Sequence, residues 1–108
     1  MLSQTYGRLG DPAAAERTAK NCVATAEEHG DPILLTQALN RLAVTLEMDK
    51  PDLAEEIYGR TLEIAQRTGD AGPQARCHNN LGNIAARRND WQKARQSYGT
   101  AIALARGA

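Results

Sequence analysis

The stretch Asn79–Leu104, NNLGNIAARRNDWQKARQSYGTAIAL, decides the fold. Leu81, Ile84 and Ala85 share one face at three- and four-residue spacing, Asn89-Asp90 interrupts the pattern, and Trp91, Ala94, Tyr98, Ala101 and Leu104 resume it. Such spacing aligns side chains on one face of an α-helix. Asn-Asp marks a turn, because both side chains can bond to nearby backbone. The stretch predicts two antiparallel amphipathic helices joined by a short turn. A single hairpin cannot bury both of its apolar faces, so stacking on neighbouring hairpins is expected.

Outward from this hairpin the same punctuation recurs: Gly10-Asp11-Pro12, Gly30-Asp31-Pro32, Asp49-Lys50-Pro51, Gly69-Asp70 with Pro73, and Gly107. Glycine after the last apolar turn accepts a left-handed cap, Asp accepts backbone N–H bonds at the next helix start, and proline in the first turn loses no needed donor. Helices are therefore expected at 2–9, 12–29, 32–48, 51–68, 72–88 and 91–106. Connections this short make consecutive helices antiparallel.

The chain also repeats itself. Ala26, Gly30 and Asp31 return as Ala65, Gly69 and Asp70, Leu42-Ala43 as Leu81-Gly82, and Ala54, Tyr58 and Ile64 as Ala94, Tyr98 and Leu104, a period of 39 to 40 residues. Three units are expected within one repeat domain spanning 1–108: about 1–29, shortened at its start, then 32–68 and 72–107. Small residues at Ala43, Gly82, Ala54 and Ala94 predict close helix crossings. Tyr58, Tyr98 and Trp91 are expected to fill the wedge between hairpins.

Composition agrees with a helical core. At 108 residues and 42% hydrophobic, the chain suits one domain burying roughly 65% of its unfolded surface. With three Tyr, one Trp and no Phe, Ala, Leu and Ile must fill the interior, which suits helices better than a sheet. No apolar run is long enough to span a membrane and no leader-like segment opens the chain, so a soluble, cytoplasmic protein is expected. Cys22 and Cys77 lack the paired spacing of metal or redox motifs, and both are expected to pack as small buried hydrophobes.

Function classes narrow in the same way. His78 beside Cys77 points about 100° away from it on a helix, with no second pair to complete a metal site. No Ser-His-acid set, phosphate loop or His-Glu zinc motif occurs, so neither catalysis nor a cofactor is expected. Arg87, Arg88, Lys93 and Arg95 could meet nucleic acid, but zero net charge and few aromatics argue against it. Charge is unevenly spread: residues 1–75 carry seven basic and twelve acidic groups, and from Arg76 onward six basic groups face the one acid Asp90. The basic end would suit an acidic partner, or the acidic end of another copy.

Leu81-Gly82, Asn89-Asp90-Trp91, Ala94, Tyr98 and Ala101, with Tyr6 at the first-helix aromatic place of the opening unit, resemble the pattern of a tetratricopeptide repeat. Ala85 and Leu46 replace the first-helix aromatic, His78 and Leu39 stand where Trp is usual, and the period exceeds the family's usual length of about 34. The excess lies at Gly30–Leu35 and Gly69–Gln74, as in long-period members found in bacterial regulators and motor-protein light chains. The resemblance implies an all-α array of antiparallel hairpins, about two and a half to three repeats, wound as a right-handed superhelix with a concave groove.

It further implies that the first helix of each hairpin lines that groove and holds a protein or peptide partner. The positions so marked are Gln37, Asn40, Val44, Glu47 and Met48 in the second unit, and Arg76, Asn79, Asn83, Ala86 and Arg87 in the third. Asn79 and Asn83 lie one turn apart, each amide offering a donor and an acceptor to a peptide backbone. Arg76 and Arg87 could clamp carboxylates. The other expectation is a regulatory or self-assembly segment of a larger bacterial-type signalling or transcription-regulatory protein. On that reading the exposed ends, Ala101, Ile102 and Leu104 among them, stack on other copies or domains, because repeat arrays need a polar cap.

Overall fold

The computed structural model describes residues 11–107 as five helices: α1 (Pro12–His29), α2 (Pro32–Leu46), α3 (Pro51–Thr68), α4 (Ala71–Arg87) and α5 (Trp91–Gly107). No strand occurs among the described residues. The expected helix at 2–9, with Leu2, Tyr6 and Gly10, lies outside them. Local chemistry sets the boundaries. The Asp31 carboxylate accepts the Ile33 and Leu34 N–H groups at 3.0 and 3.3 Å, and Asp11 does the same for Ala13 and Ala14, both at 3.1 Å. Asp70 and Asp90 accept single bonds from Gly72 and Lys93. These satisfy donors that a helix start leaves unpaired.

Three turns end in the left-handed region, at Gly30 (φ 65°), Gly69 (φ 75°) and Asn89 (φ 63°). Each sits where the sequence punctuation falls. The connection after α2 is different. With no glycine there, α2 stops at Leu46, two residues before its expected end, and the chain tightens through Glu47 N–H to Val44 O and Lys50 N–H to Leu46 O. Lys50 contributes no side-chain cap, and Pro51 opens α3.

Consecutive helices pack in pairs, α2 on α3 and α4 on α5, with α1 against α2, α3 against α4, and α2 touching α4 across the stack. The radius of gyration, 14.9 Å, exceeds the roughly 13 Å of a compact domain this size, and the extents are 46 × 38 × 22 Å. That is a slab of stacked hairpins. Its core is small-residue rich: Ala19, Val23 and Ala26 from α1, Ala38, Leu39, Leu42, Ala43 and Leu46 from α2, Ala54 and Tyr58 from α3, and Cys77 and Ile84 from α4. Ala43 and Ala54 are fully buried, as close crossings require.

Two packing expectations are corrected. Cys22 is exposed, because the buried stripe of α1 runs through Ala19, Val23 and Ala26 and leaves position 22 beside it; Cys77 is buried. Trp91 is 60% exposed and fills no wedge. Tyr58 does fill the space between hairpins, at 0% exposure, while Tyr98 packs inside its own hairpin on Gly82.

Candidate binding groove

The surface on which α2 and α4 lie side by side is built from the first helices of two hairpins, so residues one period apart meet. The Asn80 amide donates to Asn40 Oδ1 at 3.2 Å, and Arg87 Nη1 donates to Glu47 Oε2 at 3.1 Å; both pairs are 40 residues apart. Glu47 is a hub. Its other oxygen, Oε1, accepts the Tyr58 hydroxyl at 2.6 Å, and its side chain is only 10% exposed. Burial first, and then the adjacent Glu47 carboxylate, hold the Tyr58 hydroxyl well above its ordinary pKa, so it serves as a donor throughout the working pH range.

These contacts divide the residues marked by the sequence. Asn40, Glu47 and Arg87 are engaged with one another's elements, and Asn83 Oδ1 accepts the Tyr98 hydroxyl at 2.5 Å, leaving its amide N–H groups. Gln37, Val44, Arg76 and Asn79 are exposed, as is Met48. Gln37, Val44 and Arg76 converge, with Asn40, Arg41 and Thr45, on an open cleft of about 420 Å³ between α2 and α4. Asn79 lies one turn further along α4, outside that lining.

Arg41 is the residue that sequence reasoning passed over. It continues the exposed stripe Gln37, Arg41, Val44, Met48 at four-, three- and four-residue steps, whereas Asn40 turns inward toward Asn80. A stripe test along α2 would have found it. Neither Arg41 nor Arg76 forms a salt bridge among the described residues, in contrast with Arg87 and Arg88. The cleft thus offers two guanidinium groups and an exposed Val44 side chain, half of it in solvent. Guanidinium forks and a small apolar patch suit a carboxylate-bearing, extended segment.

A second open hollow, of about 500 Å³, lies between α1 and α2 beside Cys22, Leu34 and Arg41. Among the described residues no three His, Cys, Asp or Glu side chains gather as a metal site would need, and no helix is long and apolar enough to cross a membrane. Residues 34–107 match the family model described as Tetratricopeptide repeat. No curated protein and no solved structure matches the chain.

Proposed function

The chain belongs to the tetratricopeptide repeat family, whose repeats mediate protein–protein interaction as non-catalytic scaffolds, and from that premise we propose that it binds an acidic, extended segment of a partner protein in the α2–α4 cleft. The observation that carries this is the pair Arg41 and Arg76, without salt-bridge partners among the described residues, on one open cleft with Val44. The guanidiniums clamp carboxylates, Gln37 and Asn79 bond the peptide backbone, and Val44 takes an apolar side chain. Rather than touching the peptide, Asn40, Glu47 and Arg87 hold α2 and α4 in register beneath it, and Asn83 ties α4 to α5 through Tyr98. The partner is a protein; neither a nucleic acid nor a cofactor enters. The setting is cytoplasmic, which two separated free thiols support.

The test is fluorescence anisotropy with a labelled extended peptide of alternating Asp and Val residues. Saturable binding should weaken at least about tenfold in Arg41→Ala with Arg76→Ala, two lost charge-assisted contacts of at least about 0.7 kcal/mol each. Asn79→Ala should weaken it less. Equal binding by the double variant would sink the reading.

A second reading, a self-assembly or regulatory segment of a larger signalling or transcription-regulatory protein, is favoured by one feature: Trp91 and Ile102, 60% and 53% exposed, stand uncovered on α5. Sedimentation at rising concentration separates the two. Association that Trp91→Ala abolishes, without peptide binding, would favour this reading.

A further inference from the structure

The outward face of α5 is independent of the cleft, and the repeat itself states what should cover it. α3 and α5 correspond at an offset of 40, fixed by buried Ala54 and Ala94 and by Tyr58 and Tyr98. At that offset Pro51, Glu55, Tyr58 and Leu62 of α3 correspond to Trp91, Arg95, Tyr98 and Ile102 of α5. On α3 the four are half-buried or buried, because α4 lies over them. On α5 Trp91 is 60% and Ile102 53% exposed, Arg95 is exposed, and the stripe borders an open hollow of about 430 Å³. The steps of four, three and four residues put all four side chains on one helix face.

Charge gives the face its specificity. Where one hairpin covers another, the covered helix presents an acid and the covering hairpin answers with a base from the turn after its first helix. Glu55 of α3 accepts Arg88 at 3.0 Å. On α1, Glu16, which corresponds to Glu55 at the offset of 39 set by Gly30 and Gly69, meets Lys50 at 3.4 Å. On α5 that position is Arg95, so the sign is inverted. Arg95 forms no salt bridge among the described residues, and α5 contains Lys93, Arg95 and Arg106 without one acid.

We infer that the α5 face docks an amphipathic helix of a partner protein that carries a carboxylate opposite Arg95, where the internal junctions place Lys50 and Arg88. Trp91 and Ile102, with the half-buried edge of Tyr98 between them, supply the apolar contact, and Arg95 selects an acidic partner over a basic one. A symmetric contact between two copies through α5 is disfavoured, since it would press two wholly basic helices together.

Trp91 is the single tryptophan and lies in the face, so its emission reports coverage directly. The probe is a synthetic peptide of residues 71–88 of this chain, the segment that covers the matching face of α3, with Arg88→Glu; the unaltered peptide is the control. Titrated into the full chain, the Glu peptide should shift Trp91 emission to the blue and bind roughly fivefold tighter than the control. Arg95→Glu in the chain, with helix content checked by circular dichroism, should invert that preference. No blue shift with either peptide up to about millimolar concentration, or equal affinity for both, overturns the inference. A blue shift on raising the concentration of the chain alone, without peptide, also overturns it and assigns the face to a second copy.

Discussion

At the scale of single residues, Gly82 shows how a crossing is made. A Cβ added there would lie 2.8 and 2.9 Å from two ring carbons of Tyr98. The ring cannot swing aside freely, because its hydroxyl is held by Asn83. Alanine would favour the helix by about 1 kcal/mol over glycine, yet overpacking costs about 1–3 kcal/mol. Gly82→Ala should therefore lower stability in urea denaturation by about 1 kcal/mol, and the same change in a Tyr98→Leu background should be neutral or stabilising. If Gly82→Ala raises stability with Tyr98 intact, the contact is not limiting. Gly82 was legible because a glycine in a helical pattern, one period from Ala43, marks close approach. Asn40 and Arg41 show where legibility stops: adjacent helical residues differ by about 100° in direction, so composition alone could not say which faces the cleft. Nor could it show that Glu47 is consumed by Tyr58 and Arg87, since that depends on the relative height of two helices.

Helix boundaries are legible in the sequence wherever a chemical stop exists. Asp caps and left-handed residues at Gly30, Gly69 and Asn89 place the boundaries of α1, α3, α4 and α5 within a residue or so of expectation. α2 ended early because the segment 47–50 carries no such stop. Between elements, the Asp52, Glu55, Arg88 and Lys93 cluster ties α3 to the α4–α5 turn. Burial alone would raise the pKa of Glu55, but hydrogen bonds from Arg88 and Lys93 more than offset this and lower it. The sign follows. An unfolded carboxylate titrates near pH 4.3, above the folded value, so the unfolded chain gains its proton first as pH falls. The stabilisation from Glu55 is thus present above about pH 4.5 and is lost as pH drops through the folded pKa. Urea midpoints measured from pH 7 to pH 3 should show this loss, of order 1 kcal/mol or less for a partly exposed group, and Glu55→Gln should flatten that part of the acid limb. An unchanged acid limb in Glu55→Gln would mean that the cluster does not stabilise the fold.

Across the whole molecule, the uneven charge of the sequence acquires an internal use. Every ion pair that joins the second hairpin to the third runs from an acid at Glu47, Asp52 or Glu55 to a base at Arg87, Arg88 or Lys93. The excess of bases after Arg76 is thus partly spent on a seam between hairpins, while Arg76 and Arg95 stand apart from it. Each exposed pair contributes only about 0.2–1 kcal/mol, but the pairs share residues and act at one junction. Salt screens charges over about 3 Å at 1 M and about 10 Å at 0.1 M, so the seam should weaken as salt rises. Stability should fall by about 1–2 kcal/mol between low salt and about 0.5 M NaCl, with amide exchange in α4 and α5 accelerating more than in α2. Arg88→Ala removes the two contacts to Asp52 and Glu55 at once, leaving Arg87–Glu47 and Lys93–Glu55, and should lower stability at low salt while reducing the salt dependence by about half. If the variant keeps the parent's full salt slope, the hairpins are held by Tyr58, Cys77 and Ile84 alone, and the charge asymmetry serves only the outer surfaces at Arg76 and Arg95.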